Sequence, residues 1–157
     1  SSTSQLIAND ALELKLLISD NKYDDSTQTA LKLYAKADLL AFQNKNKQSV
    51  SVLQEILVNH KGESIEDQAL FLQAKLFEKQ GLYNQAGSNY QYIISNYNQD
   101  ILVDDAIYRL AELYNKFMND PKKAKDLYEQ ILFNHQDSIY FVEARKKFRA
   151  LRGDDIN

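Results

Sequence analysis

The sequence contains two histidines, the side chains whose ordinary pKa lies closest to neutral pH. Either residue, His60 or His135, could act as a general base or bind a metal. Tyr97 stands 37 positions after the first and 38 positions before the second, so all three occupy equivalent places in a repeated pattern. A catalytic or metal-binding role would not alternate with tyrosine in this way. We therefore interpret both histidines as structural or solvent-exposed.

Adjacent carboxylates occur at Asp24 and Asp25 and again at Asp104 and Asp105, a grouping that could serve acid–base chemistry or bind a cation. Both pairs stand where helices are predicted to begin, and capping or attraction to the helix dipole explains them. The four glycines have neither spacing of the phosphate-binding loops, and the absence of cysteine excludes a thiol nucleophile. The sequence therefore predicts no enzyme activity, no cofactor and no metal site.

The formal net charge of −3 gives no basic footprint for a phosphate backbone, which argues against nucleic acid as the main ligand. No apolar run is long enough to span a bilayer, so no transmembrane segment is predicted. The C-terminal end is locally basic. It could contact an acidic partner, an anionic lipid surface or another copy of the chain, but we favour the polar outer face of a terminal helix. Its basic residues are Arg145, Lys146, Lys147, Arg149 and Arg152.

Apolar residues recur at helical spacing along the chain, and a single proline with four glycines suits short connections between helices. The clearest boundary is Asp120 before Pro121, because proline loses no hydrogen bond at the first helical position. Gly81 and Gly153 suit the left-handed position after a helix, and Ser64 and Asp100 are predicted N-caps. The pattern predicts eight helices and no sheet. The helices are predicted over 6–18, 25–43, 48–60, 64–80, 83–97, 100–119, 121–135 and 138–152.

The stretch 67–134 contains one helical-hairpin pattern twice. Ala111 follows Ala74 by 37 positions, and Ala124 follows Ala86 by 38 positions. A weaker copy with more substitutions precedes them. We expect a single domain, because no pair of helices can bury its apolar stripe alone. Its predicted parts are a leading helix over 1–24, a degenerate repeat over 25–62, repeats over 63–99 and 100–137, and a C-terminal capping helix over 138–157.

These hairpins resemble the tetratricopeptide repeat, in which the first helix carries a small residue before an aromatic and the second carries Ala-x-x-x-aromatic. Ala74 and Phe77 with Ala86 and Tyr90 form the best copy. The period is longer than the family's, which is about 34, and the proline that often closes the second helix is missing. The resemblance implies an all-α right-handed solenoid whose concave surface, lined mainly by first helices, binds peptides or partner proteins.

The segments between the repeats, 98–101 and 136–139, are longer than usual. They resemble a subtype of the family that is found in bacterial cell-envelope proteins. This narrower resemblance implies a location in the periplasm or in association with the outer membrane.

An aromatic residue stands three positions before the small residue of each first helix, at a constant interval of 37. These rings could face the groove and hold apolar side chains of a partner, or they could pack between adjacent first helices. A charged residue follows each ring by four positions and would either set the charge preference of the partner or form a solvated face. The aromatic residues are Tyr34, Phe71 and Tyr108, and the charged residues are Asp38, Lys75 and Glu112.

The sequence thus predicts a protein-interaction scaffold that binds a partner segment in a concave groove. The alternative is that the chain forms the C-terminal structural or self-association part of a longer repeat protein of the cell envelope.

Overall fold

The computed structural model describes residues 25–99 and 101–154. Within these ranges the chain forms seven α-helices and no β-strand, which confirms the predicted all-α class. The helix predicted over 6–18 lies outside the described residues. The helices are α1 (Asp25–Phe42), α2 (Asn46–Asn59), α3 (Glu66–Lys79), α4 (Tyr83–Asn96), α5 (Val103–Lys116), α6 (Pro121–Asn134) and α7 (Phe141–Arg152).

None of these described helices combines the length and the apolar character that a membrane crossing requires.

The turn inside each helical pair contains a residue with positive φ at the same place in the repeat. These residues are Asn44 (φ 60°), Gly81 (φ 74°) and Asn119 (φ 50°). Glycine and asparagine adopt the left-handed region at lower steric cost than other residues, so they permit the sharp reversal between the two helices. The sequence predicted this conformation for Gly81 but not for the two asparagines.

The predicted start of α6 is confirmed. Asp120 is its N-cap, Pro121 occupies the first turn, and Asp120 Oδ1 accepts a hydrogen bond from the Lys123 backbone N–H at 3.1 Å. Asp104 and Asp105 lie in the first turn of α5, where negative charge complements the helix dipole.

The start of α4 at Tyr83 is also as predicted, whereas the predicted starts of α3 and α7 are wrong by two or three residues. α3 begins at Glu66 rather than at Ser64, and α7 begins at Phe141 rather than at Ser138. Before α7 the chain makes a turn, in which Ser138 Oγ accepts a hydrogen bond from the Tyr140 N–H at 3.1 Å. The serine therefore caps this turn and not the helix. The predicted cap of α5, Asp100, lies outside the described residues.

The chain divides into two compact units, with the boundary between Leu76 and Phe77. In the first unit, α1 packs against α2 over a core that includes the fully buried residues Ala30, Leu53 and Ile56. Ser49 takes the place of the small apolar residue of the later repeats. Its hydroxyl donates a hydrogen bond to the Ala37 carbonyl at 2.6 Å, which satisfies a polar group that is completely buried.

In the second unit, α4 packs against α5, α5 against α6, and α6 against α7. The core between α5, α6 and α7 contains alanines that let the helix backbones approach closely, together with large side chains that fill the remaining space. Burial of each large side chain contributes about 1.5–3 kcal/mol. The completely buried residues include Ala111, Ala124, Tyr128, Ile131 and Ala144. This consecutive packing is the arrangement of a helical-repeat solenoid.

Candidate functional site

The six residues predicted to line a partner-binding groove are divided between the two units, and all are half-buried. They are Tyr34, Asp38, Phe71 and Lys75 in the first unit and Tyr108 and Glu112 in the second unit.

In the first unit, the rings and charges take part in contacts within the protein. The Tyr34 ring is half-buried and packs against the buried core. The Lys75 ammonium lies 5.0 Å from the centroid of the Phe71 ring. Because this distance suits a cation–π interaction, Lys75 and Phe71 form one combined aromatic and cationic surface.

In the second unit, Tyr108 belongs to a cluster of three tyrosines. Its ring stacks on that of Tyr140 with centroids 4.4 Å apart and an interplanar angle of 12°. Its other neighbour, Tyr128, approaches edge-on with centroids 6.0 Å apart. Burial, followed by the nearby charge of Glu112, raises the pKa of Tyr108 to about 12. The phenol therefore stays protonated at neutral pH, and the stack presents neutral rings.

Glu112 lies one turn after Tyr108 and is held by three donors. Its carboxylate accepts hydrogen bonds from the Tyr128 hydroxyl at 2.8 Å and from Lys147 Nζ at 2.9 Å, and it forms an ion pair with Lys116 Nζ at 2.6 Å. Burial raises the pKa of this group, but the donors outweigh burial and lower the pKa to about 2. Glu112 is thus a fixed negative charge and not a solvated side chain.

A similar arrangement occurs one repeat earlier. The completely buried Tyr90 donates its hydroxyl hydrogen to the Glu78 carboxylate near the end of α3. Arg109 Nη1 lies 3.5 Å from the same carboxylate. Burial and then the bond to Glu78 raise the pKa of Tyr90 well above its usual range. Each phenol therefore anchors a carboxylate on a first helix of a pair.

Several of these groups line a cavity of about 330 Å³ between the end of α3, one face of α5 and the start of α7, which we call the α5 cleft. Two carboxylates, one guanidinium and one ammonium lie beside the stacked tyrosines. The α5 cleft thus combines aromatic surface with charges of both signs. Its lining includes Glu78, Tyr108, Arg109, Glu112, Lys116 and Tyr140.

The two histidines make contacts that agree with the structural interpretation. Nδ1 of His60 lies 3.2 Å from Ser26 Oγ and 3.1 Å from Glu63 Oε2. Nδ1 of His135 lies 2.6 Å from Asp104 Oδ1. Each histidine ties the end of the second helix of a pair to the beginning of the first. Across residues 25–99 and 101–154, no three His, Asp or Glu side chains are grouped as metal ligands would be.

The basic residues of α7 have several different neighbours. Lys147 contacts Glu112, as described above, while the guanidinium groups of Arg145 and Arg152 lie over the rings of Phe141 and Phe148. The apolar contact of α7 with α6 is centred on the completely buried Ala144. These contacts show that α7 packs on the preceding repeat, and its role as a C-terminal capping helix stays a prediction.

Sequence reasoning missed three residues that shape the α5 cleft: Arg109, Tyr140 and Lys147. Arg109 carries no repeat signal, because the equivalent position one repeat earlier is Leu72. Tyr140 stands in an inter-repeat turn that was predicted to be helical, and Lys147 was assigned to a solvated surface. Tyr140 and Lys147 share one signal, because each stands about one repeat after the carboxylate to which it donates a hydrogen bond. These carboxylates are Asp105 for Tyr140 and Glu112 for Lys147.

Comparison with protein families identifies two segments of the chain as repeats. Residues 68–99 and 105–138 match the family described as Tetratricopeptide repeat. The matched segments correspond to the second and third repeats predicted from the sequence. No curated protein matches the chain. The chain thus has an all-α helical-repeat fold in which two segments match the tetratricopeptide repeat family.

Proposed function

We propose that this chain is a protein-interaction module that binds a segment of a partner protein at the α5 cleft. Two segments of the chain match tetratricopeptide repeats, which generally mediate interactions between proteins and are typically non-catalytic scaffolds. The observation that carries the proposal is the α5 cleft itself, in which Tyr108 and Glu112 lie together on one helix face.

The chemistry of the α5 cleft favours a partner segment of mixed character. The stacked rings of Tyr108 and Tyr140 offer an apolar surface of low conformational entropy for an aliphatic or aromatic side chain. Glu112 is a fixed negative charge and Lys116 is half exposed, so charged groups of the partner meet charges of both signs. Charges arranged in this way give orientation and specificity more than affinity.

The first unit contributes a second contact surface in this proposal. Phe71 and Lys75 present an aromatic ring with an ammonium above it, and Tyr34 and Asp38 occupy the equivalent positions one repeat earlier.

Charge reversal in the α5 cleft tests the proposal. Lys116→Glu places a second carboxylate beside Glu112, and its matched control, Lys122→Glu, makes the same change on the exposed start of α6. We expect the first variant to lose partner capture in a pull-down by about tenfold or more, and the control to retain it. Equal capture by both variants, with circular dichroism showing both folded, would contradict the proposal.

The alternative function is self-association as the C-terminal part of a longer repeat protein of the cell envelope. One observation favours it: Ile101 and Ile139, in successive inter-repeat segments, are 90% and 88% exposed. If these residues form an interface, the chain should be dimeric or larger in light scattering, and Ile101→Ser with Ile139→Ser should make it monomeric. A monomer at high concentration would remove this alternative.

The cell-envelope location is also a proposal, and it rests on the resemblance of segments 98–101 and 136–139 to that subtype of the family. Fractionation of the source cells, followed by detection with an antibody against this chain, tests it. Recovery in the periplasmic or outer-membrane fraction is expected, and recovery in the cytosol alone would contradict it.

A further inference from the structure

The stretch 80–99, which includes the whole of α4, contains no charged residue, although 26% of the chain is Asp, Glu, Lys or Arg. Its polar residues are asparagine, glutamine, serine and tyrosine. A solvated helix face normally carries Lys and Glu, which have high helix propensity. Solubility therefore does not explain why α4 has no charged residue.

The next repeat shows what the same scaffold accepts at these positions. Asn84, Gly87, Ser88 and Gln91 of α4 are followed 38 positions later by Lys122, Lys125, Asp126 and Glu129 of α6. The second helix of a pair can thus carry four charged residues on this face, as α6 does, whereas α4 carries none there. Packing of the repeat does not require the uncharged face.

This face of α4 borders a groove. A cavity of about 540 Å³ lies along it and is closed on one side by Tyr114 and Met118, at the end of α5 and in the turn after it. Its volume falls within the range of roughly 300–1,000 Å³ that is usual for small-ligand sites. The groove shares no lining residue with the α5 cleft. We call it the α4 groove.

Gly87 is a buried residue that lies beside the α4 groove. A Cβ at this position would meet Leu110 Cδ1 at 3.4 Å and Met118 Sδ at 3.8 Å, both of them ordinary contacts, so alanine would fit. Glycine inside a helix destabilises it relative to alanine. Gly87 is buried, so its lack of a side chain lets the α4 backbone lie close to Leu110 and Met118 beside the groove.

Apart from Ser88, whose hydroxyl donates to the Asn84 carbonyl at 3.0 Å, several polar side chains of the α4 groove retain donors or acceptors. Gln91 Nε2 donates to Ser95 Oγ at 3.0 Å, which leaves the Gln91 carbonyl oxygen and the Ser95 hydroxyl hydrogen for other partners. Asn96 Nδ2 donates to the Tyr92 carbonyl at 2.9 Å, which leaves the Asn96 side-chain oxygen as an acceptor. Each group can therefore match a ligand group that is itself both donor and acceptor.

We propose that the α4 groove binds an uncharged, hydroxyl-rich oligosaccharide. Sugar hydroxyls are donors and acceptors at once, as the amides and hydroxyls along α4 are. The Tyr92 ring at the groove wall offers an electron-rich surface to the C–H groups of a sugar ring, while the Tyr114 ring already has the Lys123 ammonium 5.3 Å from its centroid. Because none of the residues that line the groove is charged, hydrogen bonds rather than ion pairs with the lining would hold the ligand.

The test is titration of the ¹⁵N-labelled chain with neutral tetrasaccharides of N-acetylglucosamine, glucose and mannose, followed by NMR. We expect one of them to shift the amide signals of residues 84–96 and of Tyr114 at millimolar or lower concentration. Absence of shifts with all three sugars overturns the proposal. Shifts confined to residues of the α5 cleft, such as Tyr108 and Glu112, would also overturn it.

The next repeat supplies the matched variant. Asn84→Lys, Ser88→Asp and Gln91→Glu together give three exposed positions of the α4 groove the side chains that α6 carries at the equivalent positions. We expect this variant to fold, as judged by circular dichroism, and to bind the sugar at least about tenfold more weakly. Unchanged affinity would overturn the proposal. So would stronger binding at α4 of an uncharged Ser/Gly/Asn peptide, because that outcome assigns the groove to protein.

Discussion

Replacement of Glu112 by glutamine should destabilise the protein in a pH-dependent way. The carboxylate has three donors, and its side chain is only 16% exposed. Each pKa unit corresponds to about 1.4 kcal/mol, so a pKa lowered from 4.5 to about 2 represents roughly 3 kcal/mol. Because Lys116 is 54% exposed and water screens its charge, we expect a loss of about 2 kcal/mol at pH 7.

The sign of the pH dependence follows from the direction of the pKa change. The pKa of Glu112 is lower in the folded protein than in the unfolded chain, so its contribution is complete above about pH 4.5. The contribution is lost as the pH falls towards about 2, where the folded protein also takes up the proton. The difference between wild type and Glu112→Gln should therefore shrink to less than half by about pH 3.

Urea unfolding followed by circular dichroism, at a series of pH values, measures this difference. Glu55→Gln is the matched control, because Glu55 lies exposed on α2 and the same substitution there should change the free energy of unfolding by less than about 0.5 kcal/mol. Equal losses in the two variants would refute the assignment of Glu112 as a pinned charge. So would a loss that stays constant down to about pH 3.

Three further predictions concern single contacts, and urea unfolding of each variant measures them. Tyr128→Phe removes a hydroxyl of a completely buried ring that bonds to Glu112, and it should cost about 1–3 kcal/mol; no change would mean that the bond does not form. Asp120→Ala removes the N-cap of α6 and should lower the free energy of unfolding by about 1 kcal/mol, whereas Asp120→Asn should retain most of the capping stabilisation. Gly87→Ala should stabilise the chain by about 0.5–1 kcal/mol, and destabilisation would show that the methyl group does not fit beside Leu110.

The all-α class and the helical pairs could be predicted from the sequence because local signals determine them. Asp120 with Pro121 marked one helix start, and the alanines at intervals of 37 and 38 marked the helix crossings. The start of α7 could not be placed, since serine caps a tight turn and a helix by the same kind of hydrogen bond. Distinguishing the two requires the backbone conformation of the residues that follow.

The candidate site was predictable only in part. The spacing identified Tyr108 and Glu112, but the groups that fix them, Tyr140 and Lys147, stand 32 and 35 positions further along the chain. Sequence spacing relates equivalent positions in successive repeats. It does not show which non-equivalent side chains meet. For this reason the spacing alone does not distinguish a solvated Glu112 from one that is held by three donors.

Site-specific photo-crosslinking tests the central claim, partner binding at the α5 cleft, most directly. A benzophenone amino acid replaces Phe117, which lines the cleft and is 54% exposed, or Phe133, which is 69% exposed on α6 and serves as the matched control. We predict that illumination in the source cells joins one partner protein to position 117 and not to position 133. We also predict that Lys116→Glu abolishes that product. Crosslinking at position 133 alone, or a product at position 117 that Lys116→Glu leaves unchanged, would contradict the account.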